Sequence, residues 1–241
     1  MNEWIIKNKF EDKTTIYDVK YNGFRGVGQC VETNLYRTNV IEFVKNQKKL
    51  NPNYRVVDIG GYASGWSSEI TDAIIDINYT DNNKFIQFNG NICYSNIWMT
   101  VMKEYVDKNG KFNFSICTHT LEDIASPKFV CDWIEKISDE GFIAMPSKYI
   151  ELSKKCEGYS RGYMHHRWIF NHENNIIKAY PKLPFLEHYP LCDKISDKWI
   201  LGENDELQWF WKEKTGLTVM NEDFCGPTAE QVIAYYNTLL D

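Results

Sequence analysis

Apolar runs and helical patterns alternate along residues 54–146 of the chain. Short apolar runs predict strands at residues 55–59, 73–77, 84–89, 112–117 and 141–145. Helical patterns cover residues 95–108 and a segment opened by Ser126 and Pro127, which suit a helix cap and a first helical turn. Strands that alternate with helices pair in parallel, so the pattern predicts an α/β fold with a doubly wound, mostly parallel sheet.

The pattern on either side of this core predicts one long helix and several additions. The helix covers Thr33–Leu50 and carries an apolar stripe that includes Val40 and Val44. Later segments predict a β-hairpin at 168–180, a long connection at 181–198, a second hairpin from 208–212 and 217–220, and a helix at 227–240. Trp209, Phe210 and Trp211 make one face of the last hairpin aromatic, which indicates a core or homodimer contact and, as a minority alternative, a surface for stacking a sugar.

This division predicts a single domain, residues 1–241. Its parts are a helical lead-in (1–50), a cofactor-binding core (54–146), a substrate-side insert with hairpins (147–226) and a C-terminal helix (227–241).

Polar residues and glycines follow every predicted strand of the core. Asp58, Gly60 and Gly61 follow the first strand, and Asp76 follows the second. In doubly wound sheets the ligand lies outside the carboxyl ends of the strands, where glycine permits a tight turn and close approach of a ligand. An acid at the end of the second strand can accept hydrogen bonds from both ribose hydroxyls. The pattern therefore predicts a nucleotide-type cofactor site; the alternative is a strand–turn–strand with acids at its ends by chance.

Composition narrows the choice of partners. The formal net charge is −6, whereas nucleic-acid binding needs a dense basic face. No apolar run is long enough for a signal peptide or a membrane span. The seven cysteines form no C-x-x-C pair, as expected for reduced thiols in a cytoplasmic protein. The loop with Gly23, Gly26 and Gly28 lacks the strand and the Lys-Ser/Thr pair of a phosphate loop.

The order of motifs resembles the class I S-adenosylmethionine-dependent methyltransferases. The series DIGGYASGW, IIDIN, FNGNI, FSICTHTLEDIASP and EGFIAMPSKYIE is similar to a subgroup with DIGGGANPW, CSHTLEDI and HHRW motifs. The resemblance covers about residues 54–180. It implies S-adenosylmethionine as the cofactor and a site built by the following residues: Asp58, Gly60, Gly61, Tyr62, Ala63, Asp76, Ile77, Asn91, Ile92, Thr118 and His119.

The chain departs from the subgroup at three points. Tyr62 stands where the subgroup has a third glycine, and its side chain would narrow the turn if the position needed a positive φ. Asn91 replaces an acid beside the adenine, although an amide oxygen still accepts one hydrogen bond. Only fourteen residues separate Gly61 from Asp76, so the first crossover must be short or irregular.

A second cluster of chemically active side chains lies in GYSRGYMHHRWIF, residues 158–170. One hypothesis is a substrate-side lid in which His165 or His166 acts as a general base, since imidazole titrates near neutral pH. The alternatives are a buried structural pair, a nucleic-acid contact, or a metal site. We predict no metal, because adjacent histidines in a strand point to opposite faces and no zinc-like spacing is present.

Together these observations predict an S-adenosylmethionine-dependent methyltransferase. We expect it to methylate an oxygen of a small polar or glycan acceptor, with His119, His165 or His166 as the base; the glycan acceptor is implied by the resemblance alone. Two other classes stay open: a non-catalytic binding module with the same fold, and a different Rossmann-type enzyme that uses a nicotinamide dinucleotide. The second class is disfavoured because this chain lacks the G-x-G-x-x-G spacing that anchors a pyrophosphate.

Overall fold

Seven strands form the central sheet, in the order β1-β9-β6-β5-β2-β3-β4. The structure is a computed structural model that describes residues 27–29, 33–78, 83–155, 160–173, 176–201 and 204–220. The strands are β1 (Val27–Gln29), β2 (Val56–Ile59), β3 (Ala73–Asp76), β4 (Ile86–Asn89), β5 (Phe112–Thr118), β6 (Ser138–Pro146), β7 (Trp168–Glu173), β8 (Ile176–Pro181), β9 (Glu206–Lys212) and β10 (Leu217–Val219).

Helices occupy most of the connections between the parallel strands. They are α1 (Thr33–Leu50), α2 (Ser95–Val101), α3 (Asp107–Asn109), α4 (Pro127–Ile137), α5 (Lys148–Glu151) and α6 (Leu191–Ser196), with a π-helical turn at Met102–Val106 and a 3-10 helix at Pro184–His188. The predicted connection at 181–198 therefore contains two short helices. No helix in the described part of the chain is long and apolar enough to cross a membrane.

The five neighbours β4-β3-β2-β5-β6 run parallel to one another. Because β2 lies between β3 and β5, the order of the strands reverses at the β2–β5 pair. Such a reversal opens a crevice at the carboxyl ends of the two strands. The doubly wound, mostly parallel sheet predicted from the sequence is confirmed. The short, irregular first crossover is also confirmed, because residues 61–72 form turns without a helix.

The strand β9 enters the sheet antiparallel to β6 and carries β1 on its other side, also antiparallel. Its side chains alternate between the two faces of the sheet. Phe210 packs with Phe43, Phe114 and Phe142 on the face covered by α1. Trp209 and Trp211 are buried on the opposite face, in the cluster that includes α2 and α4 residues. All three aromatics are therefore core residues, and the homodimer stays a prediction.

The predicted second hairpin is wrong. Residues 206–212 belong to the central sheet, whereas β10 pairs in parallel with β8 in a separate three-stranded sheet. A strand with aromatic side chains on both faces needs cover on both faces, and only a position inside the central sheet provides it. The first hairpin is confirmed as β7 and β8, whose inner residues join the core cluster on the α4 face.

The predicted C-terminal helix and most of the lead-in, residues 1–26, lie outside the described residues. Gly23 and Gly26 belong to that segment, whereas Gly28 lies in β1 rather than in the predicted loop. Within the lead-in, the helix Thr33–Leu50 is confirmed with the predicted bounds.

Gly141 provides a test of how tightly the sheet is packed. A Cβ at this position in β6 would lie 2.4 Å from the carbonyl oxygen of Ser115 and 2.7 Å from Nε1 of Trp211. We expect Gly141→Ala to lower the free energy of unfolding by about 1–3 kcal/mol, the cost of overpacking a core. Ser115→Ala removes a buried hydroxyl that has no hydrogen-bond partner, so it should change stability far less.

Urea denaturation of the three proteins measures both effects. Equal stability of Gly141→Ala and the parent would show that β5 and β9 can separate around this position.

Candidate active site

Two pockets lie side by side at the carboxyl edge of the parallel strands. The first has a volume of about 360 Å³ and reaches from the switch point to the end of β4. It is lined by Gly60, Asp76, Ile77, Gly90, Asn91, Ile92, Cys93, Tyr94, His119, Thr120, Asp123, Ile124, Ala125 and Arg167. Six of the eleven predicted cofactor residues are in this lining.

A turn of two glycines lies at the floor of the first pocket, where Gly60 belongs to the lining and Gly61 follows it. Gly60 has φ +72°, and a Cβ there would lie 2.3 Å from the hydroxyl oxygen of Thr120. A Cβ on Gly61 would lie 2.2 Å from the carboxyl carbon of Asp58. Both contacts are too short for any side chain, so the turn requires glycine at each position. The turn thereby joins the end of β2 to the segment that follows β5.

Asp58 lies beneath this turn and does not line the pocket. Its side chain is buried and accepts a hydrogen bond from the hydroxyl of Ser67. Burial raises the pKa of Asp58 to about 6; the hydrogen bond from Ser67 opposes this shift, and the charge of Asp76 adds to it. The structure therefore gives Asp58 a supporting position under the turn instead of the direct cofactor contact expected from the sequence.

Asp76 and the residues after β4 form the far wall of the first pocket. Oδ1 of Asp76 accepts the backbone N–H of Asn78 at 2.7 Å, which fixes the carboxylate at the strand end. Asn91 Oδ1 accepts the backbone N–H of Cys93 at 2.9 Å. The buried side chain of Ile92 and the exposed one of Ile77 provide apolar surface. An acid followed by an amide and apolar side chains suits a nucleoside with its ribose toward β3.

Besides Asp58 and Gly61, three further predicted cofactor residues lie outside the pocket lining: Tyr62, Ala63 and Thr118. Tyr62 is 65% exposed and has no positive φ, so its side chain does not narrow the turn as expected. Ala63 follows it in the same loop. The hydroxyl of Thr118 accepts a hydrogen bond from the Trp66 indole at 3.3 Å, which ties the crossover to the end of β5.

The second pocket shares His119 and Asp123 with the first. Its volume is about 450 Å³, and it is lined by His119, Glu122, Asp123, Pro146, Ile150, Tyr163, His165, His166, Asp205 and Glu206. The structure thus brings all three predicted catalytic histidines into one pocket, next to the candidate cofactor site. Their catalytic roles stay predictions.

His119 lies on the wall between the pockets, held by two carboxylates. Its Nε2 is 2.7 Å from Oε1 of Glu206, and its Nδ1 is 3.4 Å from Oε1 of Glu122. Burial alone lowers the pKa of an imidazole, but these two acids outweigh it and raise the pKa of His119 to about 10. At neutral pH the side chain of His119 is therefore an imidazolium, which has no free electron pair with which to take a proton. This geometry argues against the predicted general-base role of His119 and favours a role in the pocket wall.

Glu206 connects this wall to the rest of the protein. It accepts a hydrogen bond from Arg37 of α1 at 3.0 Å and one from the amide of Gln208. The contacts with His119 and Arg37 lower the pKa of Glu206 despite its burial. The negative charge on Glu206 and the positive charge on His119 therefore stabilise each other.

His166 is held differently from His119. Its Nδ1 lies 2.6 Å from Oε1 of Glu151, whose other oxygen accepts a hydrogen bond from Lys182 at 2.8 Å. A carboxylate at Nδ1 fixes the proton there and leaves the electron pair on Nε2. Nε2 lies 3.6 Å from Oδ1 of Asp123. His166 is thus a buried imidazole whose ring is oriented by Glu151, with Nε2 on the side of the shared wall.

His165 and His166 approach Asp123 together. Nε2 of His165 lies 3.8 Å from Oδ1 of Asp123, and the two imidazole rings are 4.4 Å apart at their centroids. The expectation that adjacent histidines diverge is wrong here, because residues 164–167 precede β7 and are not in a strand.

The sequence interpretation missed all four acids that line the second pocket, and also Glu151, which contacts His166 from outside the lining. Glu122 and Asp123 are in the THTLEDIASP motif, and Glu151 is in the PSKYIE motif. Nothing in their spacing shows which of them turn inward. Glu206 begins a strand whose place in the sheet was predicted wrongly, so its contact with His119 could not be expected.

Comparison with known proteins adds little to this description. No protein-family model and no curated protein matches the chain. Solved structures similar to it include the plantazolicin methyltransferase BpumL in complex with a triazolic desmethylPZN analog and SAH, with 9% identity, TM-score 0.39, and coverage of 75% of this chain and 86% of that chain. A SAM-dependent methyltransferase from Anabaena variabilis ATCC 29413 has 9% identity and TM-score 0.40, with coverage of 76% and 87%.

A third similar structure is a cyclopropane-fatty-acyl-phospholipid synthase-like protein from Lactobacillus casei ATCC 334. It has 10% identity and TM-score 0.32, with coverage of 77% of this chain and 96% of that chain. Likenesses at this level do not assign a function.

The pKa of Asp58 predicts a pH-dependent contribution to stability. Because this pKa is about 6 in the folded protein and 3.8 ordinarily, the native state binds more protons between these values than the unfolded state. Asp58 therefore makes stability fall as the pH rises from about 4 to 7, by about 3 kcal/mol. Asp58→Asn keeps an acceptor for Ser67 and removes the charge, so it should lose this dependence.

Urea denaturation of both proteins at pH 4 and pH 7.5 measures the difference. The quantity to compare is the free energy of unfolding of Asp58→Asn minus that of the parent. This difference should be larger at pH 7.5 than at pH 4 by about 3 kcal/mol. An unchanged difference between the two proteins across this range would contradict the buried position of the carboxyl group.

Proposed function

We propose that this protein is an S-adenosylmethionine-dependent methyltransferase that methylates an oxygen atom of a small polar or glycan acceptor. The observation that carries the proposal is the pair of adjoining pockets. One has the features of a nucleoside site, the other is lined by acids and histidines, and they share His119 and Asp123. Two reactants bound in these pockets would meet at the shared wall.

The first pocket fits S-adenosylmethionine better than a dinucleotide. Pyrophosphates bind at helix N-termini, and here the turn at Gly60 and Gly61 is followed by turns rather than by a helix. S-adenosylmethionine has no phosphate and carries a positive sulfonium, which Asp76 and Asp123 in the lining would attract. These features favour the methyltransferase over the nicotinamide-dependent alternative.

The second pocket supplies the groups that an acceptor hydroxyl requires. Two carboxylates in its lining that are at least partly exposed, Asp123 and Asp205, can accept hydrogen bonds from polyhydroxyl compounds. His166 supplies the electron pair on Nε2 that activates the hydroxyl, and Glu151 stabilises the charge that develops on the imidazole. When bound, the cofactor supplies an electrophilic methyl group, so no covalent enzyme intermediate is needed. The protein's main contribution is then to position the acceptor.

The first experiment is a calorimetric titration with S-adenosylhomocysteine and, separately, with NAD. The proposal requires binding of the first compound. Binding of NAD alone would favour the dinucleotide enzyme, and binding of neither compound would favour a non-catalytic module.

Asp76 is the residue whose loss should weaken cofactor binding most directly. We expect Asp76→Ala to weaken binding of S-adenosylmethionine by about 1.5–3 kcal/mol, the value of hydrogen bonds to a charged acceptor. Asp76→Asn is the matched control, because it can still accept the backbone N–H of Asn78 and should lose less affinity. Calorimetry measures both variants, and full affinity in Asp76→Ala would refute the ribose assignment.

His166 should act in the chemical step and not in cofactor binding. With an identified acceptor, His166→Asn should lower kcat by about 10²–10⁴-fold while the affinity for S-adenosylmethionine stays constant. His188→Asn is the control, because His188 is exposed in the 3-10 helix and outside both pockets. A parallel fall in cofactor affinity would instead make His166 part of the cofactor pocket.

A further inference from the structure

We propose that Asp123, His165 and His166 form a binding site for a divalent transition-metal ion such as Zn²⁺. Each side chain offers one ligand atom, and the three atoms lie within 4.8 Å of one another. In a tetrahedral zinc site, bonds of about 2.0–2.1 Å place neighbouring ligand atoms about 3.4 Å apart. The two distances from Asp123 are 3.6 and 3.8 Å, and the two histidine ligand atoms lie within 4.8 Å of each other, so closing the site requires side-chain movements of about 1 Å.

The buried histidine is already oriented as a metal ligand. Glu151 lies at Nδ1 of His166, and Lys182 holds Glu151 in place. A carboxylate that accepts the far N–H of a ligating histidine fixes its tautomer and makes the coordinating nitrogen more basic. His166 therefore presents Nε2, the nitrogen nearest Asp123, as an electron-pair donor.

Glu122 provides an independent reason to expect a cation here. Its side chain is 1% exposed, and neither carboxylate oxygen has a hydrogen-bond partner. It lines the same pocket as the three proposed ligands and is adjacent to Asp123 in the chain. A buried carboxylate is costly without compensation. The imidazole of His119, at 3.4 Å, compensates this charge in part, and a cation bound in the same pocket would add to the compensation.

Three protein ligands leave at least one coordination position open. That number is typical of catalytic zinc sites, in which the open position takes water or substrate. The open position would face the second pocket, next to the wall shared with the cofactor site. There the ion, in place of Nε2 of His166, would lower the pKa of a bound acceptor hydroxyl, whose proton would pass to solvent. The oxygen would then form its bond to the methyl group as the bond between methyl and sulfur breaks and S-adenosylhomocysteine leaves. This role rests on the proposed function, whereas metal binding itself does not.

Direct titration tests the site without an assay of activity. The protein, free of any histidine tag and treated with a chelator, is titrated with Zn²⁺ by calorimetry, and with Co²⁺ to follow its visible absorption. We expect one ion per chain. His165→Ala and Asp123→Asn should each weaken binding at least tenfold, and Glu151→Gln should weaken it about 10–100-fold by releasing His166. His188→Ala is the control and should bind as the parent does.

Circular dichroism checks that each variant is folded. Absence of binding in the parent, or binding that survives unchanged in all three variants, would overturn the proposal. Titration of the same proteins with S-adenosylhomocysteine separates the two proposals. Cofactor binding without metal binding would leave the methyltransferase intact, with His166 acting directly as the base. Metal binding without cofactor binding would refute the methyltransferase and leave the metal site.

Discussion

The candidate site depends on the packing of a glycine turn against a buried carboxyl group. Gly61 rests on Asp58, and Gly60 rests on Thr120, so the ends of β2 and β5 are joined where the strand order reverses. The contact withdraws Asp58 from water, which is costly, and the hydroxyl of Ser67 offsets part of that cost. Without this packing the floor of the first pocket would have no defined position.

The antiparallel strand β9 performs the corresponding task for the second pocket. Its aromatic side chains fill both faces of the sheet, and this packing fixes the strand beside β6. Glu206, its first residue, is thereby placed next to His119. Packing in the core and the charge distribution of the pocket are thus two results of one strand position.

Much of the architecture could be predicted because its signals are local. Apolar runs that alternate with helical patterns predict the parallel strands, an apolar stripe predicts the helix Thr33–Leu50, and glycines mark the turn after β2. The sequence alone could not show that the second hairpin is wrong. Whether β9 pairs with β6 or with β10 depends on the burial of both faces of β9, which only the folded structure reveals. The convergence of His165 and His166 depends on a turn that the strand interpretation did not foresee.

The contacts of Glu206 also indicate the order in which the parts of the site form as the chain folds. Glu206 meets His119 across 87 positions of sequence and Arg37 across 169. Closing such long loops is slow compared with forming helices or local turns. During synthesis on the ribosome, the parallel strands emerge before the residue that holds His119. The wall between the pockets is therefore completed late, and a nascent chain that ends before residue 206 has the sheet's main strands but lacks the finished site.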